Sequence, residues 1–191
     1  MDQIRGALFH WSLTAWGLLE LGLRVRELAR GRGRAAHDRG TRVFIGAMIG
    51  AALLLALNSP TWVPSLRMPG HRATHVTGLA VVWIGLVVRF WAVATLGRSF
   101  RTTVEVDAEQ QVVSNGPYRW VRHPAYTGLL LILAGLGLGI GNWLALVACV
   151  VLPTIAVLRR IQVEEAELTR VLGENYLAYE QHTKRLIPGL W

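Results

Sequence analysis

Residues 127–157, TGLLLILAGLGLGIGNWLALVACVVLPTIAV, form one apolar stretch of thirty-one residues. One membrane-spanning helix needs about 20 apolar residues, so this stretch is too long for one span and short for two. Four glycines and an asparagine, residues that favour turns, lie at its middle. We therefore predict a helical hairpin that turns near Gly141 and Asn142, with somewhat short arms and both ends on one side of the membrane. The glycines follow no strand, so they do not indicate a dinucleotide-binding loop.

The segment before the hairpin, residues 115–128 (NGPYRWVRHPAYTG), combines turn residues with charge. His123-Pro124 indicates a helix start, because proline at the first helical position loses no hydrogen bond. Free backbone N–H groups and the helix dipole favour an anion there, and Arg119 and Arg122 lie beside it. This helix start is a candidate seat for a carboxylate or a phosphate. The alternative is a basic juxtamembrane loop without a ligand.

Three earlier apolar blocks, residues 7–23, 43–57 and 75–96, are predicted to be helical spans. Residues 24–42 carry seven arginines, and such loops are cytoplasmic by the positive-inside rule. The predicted fold is all-α: a single integral-membrane domain of about five transmembrane helices over residues 1–191. Residues 1–96 hold the first three helices, and residues 97–191 hold the C-terminal hairpin with its cytoplasmic ends. The N-terminus is predicted outside and the C-terminus in the cytoplasm.

Polar and small residues inside the blocks carry further predictions. A carboxylate is costly in lipid, so Glu20 is expected to point into the helix bundle. Arg89 lies near the inner end of its block, where a long side chain can extend to the interface, and a role in a pocket is the second interpretation. The small residues Gly46, Ala47, Gly50 and Ala51 are expected to allow close helix packing.

Composition excludes several classes of protein. The chain is 52% hydrophobic with a net charge of +8. Its basic residues lie between apolar blocks, so the charge indicates membrane topology and contact with membrane lipids, and nucleic acid is not an expected partner. Cys149 is the one cysteine, which leaves no disulfide framework and no zinc set, and no metal is expected. The first block lacks a small-residue cleavage site, so a retained span is expected there.

The C-terminal part, residues 159–191, is polar but patterned. Leucines and Ile161 share one helical face with Glu165, so the hairpin's second helix is predicted to continue into the cytoplasm and to end at Gly173. Tyr176, Tyr179 and residues 186–190 then supply apolar groups to fold back against the body. Adjacent residues on a helix point in different directions, so one carboxylate of the pair Glu164–Glu165 is expected to face a pocket.

Three segments carry a family resemblance: GPYRWVRHPAYTG (residues 116–128), EEAEL (164–168) and LGENYLAYEQHTKRLIPGLW (172–191). They resemble the isoprenylcysteine carboxyl methyltransferase family and, more loosely, the phospholipid N-methyltransferases. The resemblance covers about residues 96–191, and several spaced elements in the right order make it more specific than one short motif. This chain is shorter than the eukaryotic members and looks prokaryotic.

The resemblance implies an integral-membrane methyltransferase that uses S-adenosyl-L-methionine, releases S-adenosyl-L-homocysteine and has no Rossmann domain. Residues 97–191 would then be the methyltransferase core, with a cytoplasmic cofactor pocket. Arg160 would face the carboxylate of the methyl acceptor, and its neighbour Arg159 could replace it in the alignment. Glu105 matches a family glutamine only weakly. The residues that would hold the cofactor are Gln110, Gln111, Val112, Val113, Tyr118, His123, Pro124, Ala125, Tyr126 and Glu164.

The acceptor is expected to be a lipophilic acid or a lipid that enters from the bilayer. A carboxylate acceptor is ionised at pH 7 and needs no general base, whereas an amine would need a base such as His182 or a glutamate. The alternatives are an N- or S-methyltransferase of a lipid or thiol, an NADPH-dependent membrane reductase, and a non-enzymatic membrane assembly factor.

Overall fold

The computed structural model describes residues 40–97 and 112–190, together with residues 11, 14, 16–18, 20–22 and 25. The named helices are α1 (Thr41–Trp62), α2 (His71–Leu96), α3 (Pro124–Ile140), α4 (Trp143–Leu172) and α5 (Glu174–His182). Short 3-10 helices lie at Pro64–Leu66 and Gly116–Arg119. Within these ranges β-type pairing is limited to two isolated bridges, so the all-α prediction is confirmed.

The helices pack in the order α1–α4–α3–α2, each against the next. The described residues of the first apolar block are also helical, and Trp16 packs against the core. The centre of the core is the fully buried Ile132 and Leu133 of α3 with Val157 and Ile161 of α4. The two helices of the predicted hairpin, α3 and α4, therefore form the centre of the core.

The hairpin turns where the sequence predicts. Gly141 has φ +73, a left-handed conformation that favours glycine, and the Asn142 side chain accepts a hydrogen bond from the backbone N–H of Leu144 at 2.9 Å. The Asn142 amide also donates to the Val63 carbonyl at 3.1 Å, and the Met68 N–H donates to the Gly141 carbonyl at 2.8 Å. These bonds attach the turn to the segment that follows α1.

Three helices of the described part, α1, α2 and α4, are long and apolar enough to cross a membrane. The other arm of the hairpin, α3, is a shorter apolar helix of 17 residues. A multi-pass helical membrane protein is thus confirmed. The number of five spans, the division of the domain at residue 96 and the orientation of the termini stay predictions.

Glycines bring α2 and α3 into backbone contact. A Cβ atom at Gly78 would lie 2.5 Å from the Gly139 nitrogen, and one at Gly85 would lie 2.7 Å from the Ile132 nitrogen. At Gly135 a Cβ would lie 2.7 Å from the Gly78 oxygen. Besides forming the turn, the glycine run of α3 thus allows close helix packing, because small residues let two backbones approach each other.

The prediction that the small residues at positions 46, 47, 50 and 51 of α1 allow close helix packing is wrong for the described part of the chain. A Cβ atom at Gly46 or Gly50 would meet nothing there within 4 Å, and Ala47 is exposed. The buried face of α1 is instead formed by Ala52, Ala56 and Ser59. The small residues of this block fall on several faces of the helix, and their spacing alone does not identify the packed one.

Gly135→Ala is expected to destabilise the protein by about 1–3 kcal/mol, because the new methyl group would overlap backbone atoms that cannot move aside. The measurement is thermal unfolding in detergent. Gly46→Ala is the matched control on α1: its Cβ enters open space in the described part, and alanine favours a helix, so stability should be unchanged or slightly higher. An equal effect of both substitutions would contradict the packing argument.

Arg89 does not extend to the interface as predicted: it is 6% exposed. Its Nε donates to the Glu20 carboxylate, and its Nη1 donates to the carbonyl of Ala125 at 2.8 Å. The expectation that Glu20 points into the bundle is confirmed by this ion pair. The nearby carboxylate lowers the free-energy cost of burying the guanidinium. The position of Arg89 in its apolar block does not reveal this partner.

Beyond α4 the chain folds back as predicted. Gly173, with φ +54, ends α4, and α5 follows at once. Residues 183–186, which we call the C-terminal strap, pair with the start of α3: the N–H groups of Arg122 and His123 donate to the carbonyls of Lys184 and Arg185 at 2.7 and 3.0 Å. Leu186 is buried in the core, but Ile187 and Leu190 are exposed, so the apolar fold-back of residues 187–190 is not observed.

Candidate functional site

The start of α3 meets α4 through the carboxylate of Glu165. One oxygen accepts from Arg122 Nε at 3.0 Å and lies 3.2 Å from His123 Nε2. The other accepts from Arg185 Nε at 3.0 Å. Glu165 is 7% exposed, so this charge is removed from water and compensated by cations from two other segments. Glu165 therefore joins α4, the start of α3 and the strap.

Arg122 is committed to this junction. Its guanidinium also donates to Glu180 Oε1 at 2.9 Å and to the Thr183 carbonyl at 2.6 Å. Arg119 lies 3.9 Å from the centre of the Trp120 ring, a cation–π distance. The prediction that Arg122 supplies charge for a bound anion is thus wrong, because residues of the chain's own C-terminal part already neutralise it.

Glu164 points to a different group of residues. Its Oε2 accepts from the Tyr126 hydroxyl at 3.0 Å, and that hydroxyl accepts from Arg160 Nε at 3.2 Å. Arg160 Nη1 donates to Thr41 Oγ1 at 2.7 Å. Arg160 and Glu164 are four residues apart, one helical turn, so they share a face of α4. We call this connected set the Arg160–Tyr126–Glu164 chain.

Tyr118 lies beside this chain. It is 5% exposed and packs with Ala92 and Ala125. Burial raises the pKa of the Tyr118 phenol above its ordinary value, and the negative charge of Glu164 raises it further. The hydroxyl of Tyr179 donates to the Tyr118 carbonyl at 2.6 Å, and burial raises the pKa of Tyr179 to about 12. Both phenols are therefore neutral at physiological pH, and each can donate a hydrogen bond.

The structure brings most of the predicted site residues together. Tyr118, His123, Pro124, Ala125 and Val113 line the start of α3, next to the Arg160–Tyr126–Glu164 chain. Val112 is half-buried in the same segment. Gln110, Gln111 and Glu105 lie outside the described residues. The assignment of these residues to a cofactor stays a prediction.

Arg159 and His182 do not join this group. Arg159 is exposed, and its guanidinium lies 5.2 Å from the centre of the Phe44 ring on α1. His182 is exposed at the end of α5. Of the two adjacent arginines, the structure buries Arg160, at 2% exposure, next to Glu164. An acceptor facing the Arg160–Tyr126–Glu164 chain would thus meet Arg160 and not its neighbour.

Sequence reasoning missed the structural role of Glu165 and did not single out Arg185 or Thr41. The burial of Glu165 follows from its partners Arg122 and Arg185, which are 43 and 20 residues away in the chain. Thr41 begins α1, 119 residues from Arg160, and no motif connects them. A signal was present only for the pair Glu164–Glu165, since adjacent helical positions have to face different neighbours.

Comparison with known proteins gives a consistent result. The sequence model of the isoprenylcysteine carboxyl methyltransferase (ICMT) family matches residues 77–170. A probable protein-S-isoprenylcysteine O-methyltransferase of Oryza sativa subsp. japonica is 35% identical over 113 residues, which cover 58% of this chain and 59% of that protein. Protein-S-isoprenylcysteine O-methyltransferase A of Arabidopsis thaliana is 32% identical over 150 residues, covering 78% of this chain and 75% of that protein. The chain belongs to the ICMT family.

A solved structure supports the same fold. The eukaryotic intramembrane Ras methyltransferase ICMT superposes with a TM-score of 0.69 at 22% identity, over 97% of this chain and 67% of that one. The helical membrane architecture is therefore that of an ICMT fold. The chain spans about 59% of the rice relative. The prediction that it is shorter than the eukaryotic members is wrong for the plant relatives, because these coverages correspond to proteins of about 190 and 200 residues, against 191 here. Length therefore gives no support for a prokaryotic origin.

Proposed function

We propose that this ICMT-family protein is an integral-membrane methyltransferase that uses S-adenosyl-L-methionine to methylate the carboxylate of a lipophilic acceptor. The observation that carries the proposal is the Arg160–Tyr126–Glu164 chain, which places a buried cation and a carboxylate on one face of α4. A carboxylate acceptor needs the cation, and a positively charged methyl donor suits the anion. Family membership supports the assignment of the chemistry.

The residues present fit such a donor. S-adenosyl-L-methionine carries an ammonium and a sulfonium, and Glu164 supplies a half-buried negative charge with the aromatic rings of Tyr118 and Tyr126 near it. Aromatic faces attract cations, more strongly where water is excluded. His123, Pro124 and Ala125 would supply the rest of the wall together with Val112 and Val113, and Gln110 and Gln111 are assigned to the cofactor by the family resemblance alone. When bound, the donor supplies an activated methyl group on its sulfonium.

The protein's own residues then have a positioning task. Arg160 would hold the acceptor carboxylate by charge-assisted hydrogen bonds, and Tyr126 fixes the Arg160 guanidinium relative to Glu164. The acceptor is already ionised at pH 7, so no side chain has to remove a proton. Holding two reactants in line can contribute several kcal/mol to catalysis, and burial of the site limits competition from water.

The position of the site supports a lipophilic acceptor. Arg160 is on the continuation of a membrane-spanning helix, and the relatives are named for an isoprenylated cysteine. An amphipathic acid whose tail stays in the bilayer would reach the site from the membrane. We also infer that the C-terminal part of the chain lies on the cytoplasmic side of the membrane and has membrane lipids as its neighbours.

Glu164→Gln is expected to weaken S-adenosyl-L-methionine binding about tenfold or more, because a hydrogen-bonded ion pair with the donor is lost. The measurement is calorimetry on purified protein in detergent, alongside transfer of a labelled methyl group to an S-farnesylcysteine derivative. Glu174→Gln, an exposed glutamate at the start of α5, is the matched control and should bind normally.

NADPH is the competing ligand in this experiment. Saturable NADPH binding without S-adenosyl-L-methionine binding would refute the methyltransferase assignment and support a membrane reductase. Binding of the donor with transfer to an amine or a thiol, and none to the carboxylic acid, would replace the carboxyl methyltransferase by an N- or S-methyltransferase.

A further inference from the structure

Thr41 is buried at the junction of α1 and α4, with 2% of its surface exposed. Its Oγ1 accepts a hydrogen bond from Arg160 Nη1 at 2.7 Å. Tyr126 accepts from Arg160 Nε at 3.2 Å. The planar guanidinium is therefore held at Nε and Nη1 by side chains that belong to α3 and α1.

At the start of α1 the Thr41 hydroxyl bonds to a side chain of another helix, Arg160 of α4. Threonine at the beginning of a helix often uses its hydroxyl to cap backbone N–H groups. Here the N-cap is Gly40, which has φ +70, and no side chain caps the helix. Thr41 is the first residue inside α1, and its hydroxyl contacts Arg160 of α4.

We propose that Thr41 is a positioning residue that orients Arg160 for the carboxylate of the methyl acceptor. The inference rests on the proposed function. An arginine with a flexible side chain has to be ordered when it binds an anion, and this lowers the affinity. Thr41 and Tyr126 hold the guanidinium before the acceptor arrives. Through Thr41, the helix that follows the arginine-rich residues 24–39 contributes to the acceptor side of the site.

Thr41→Val tests this directly, because valine has nearly the same shape and lacks the oxygen. The expected result is a roughly tenfold rise in the KM for a carboxylic acid acceptor, as for the loss of one hydrogen bond to a charged group, with a lower kcat. The Kd for S-adenosyl-L-methionine should stay within about twofold of the unaltered protein. Thr41→Ser keeps the oxygen and should restore the KM.

A binding measurement without the donor separates the acceptor from the reaction. The probes are an S-farnesylcysteine derivative with a free carboxylate and its methyl ester, titrated in detergent. Thr41→Val should weaken binding of the acid and leave binding of the ester unchanged. Thr61→Val, at the exposed end of the same helix, removes a hydroxyl far from Arg160 and should change neither.

Three results would overturn the inference. One is an unchanged KM and acid affinity in Thr41→Val. Another is equal weakening of acid and ester binding. The third is a loss of donor binding and thermal stability that Thr41→Ser does not restore, which would make Thr41 a packing residue only. Selective binding of the acid without any methyl transfer would instead refute the proposed function and leave the role of Thr41 in place.

Discussion

Arg160→Met should lower methyl transfer to a carboxylic acid roughly 100-fold. Hydrogen bonds to charged groups contribute about 1.5–3 kcal/mol each, so two lost contacts to the acceptor carboxylate correspond to at least this factor. Methionine has about the length of the apolar stem of arginine and lacks the guanidinium. The measurement is the initial rate of labelled methyl transfer at fixed S-adenosyl-L-methionine, with donor binding measured on the same sample.

Arg159→Met is the matched control for this substitution. It removes an identical side chain one position earlier, where the guanidinium is exposed and lies over the Phe44 ring. Its rate should stay within about twofold of the unaltered protein, since an exposed contact of this kind is weak. A variant at Arg160 that binds the donor and keeps its full rate would show that the acceptor carboxylate is held elsewhere.

The same pair of variants separates the acceptor classes. An amine acceptor gains nothing from a nearby guanidinium, because a neutral nitrogen has to attack and a cation beside it is unfavourable. Full activity of Arg160→Met on a lipid amine would therefore indicate N-methylation. Loss of activity on the acid alone would support the carboxyl methyltransferase.

The hairpin shows what could be predicted from local sequence. Its apolar length, its central glycines and the His123-Pro124 start are all local signals, and the turn at Gly141 and Asn142 lies where they place it. The continuation of α4 to Gly173 also followed from the 3.6-residue period. Elements of this kind are determined within a few turns of the chain.

The burial of Arg89 shows what local sequence does not predict. Its position near the end of an apolar block fits an interfacial side chain, but its partner Glu20 is 69 residues away. The close approach at Gly128, whose Cβ would lie 2.7 Å from Arg89 Cβ, brings the same arginine against α3. Which face of a helix is buried depends on neighbours that the block itself does not contain.

The pair Glu164–Glu165 could be predicted in part. Helical geometry predicted that Glu164 and Glu165 would face different neighbours, and the family resemblance selected Glu164 for the donor. The two carboxylates do have different partners: Glu165 is neutralised by Arg122 and Arg185, whereas Glu164 contacts Tyr126. The role of Glu164 towards the donor stays a prediction. Arg185 of the strap lies 20 residues after Glu165, so no short motif connects the two.

Glu165→Gln should destabilise the protein by about 3–5 kcal/mol, the usual cost of removing one partner from a buried ion pair. The amide would leave Arg122, whose side chain is 7% exposed, without a full counter-charge, and it would weaken the attachment of the strap through Arg185. The expected drop in Tm in detergent is roughly 10 °C.

Glu180→Gln is the control that tests this explanation. Glu180 pairs with the same arginine through Nη2 at 2.9 Å, but its side chain is 31% exposed and water can replace the contact. Its removal should cost about 1 kcal/mol or less. Equal losses for the two variants would mean that burial of Glu165 is not what makes it important. A large loss for Glu165→Gln alone, with faster proteolysis after residue 182, would show that this carboxylate holds the strap over the start of α3.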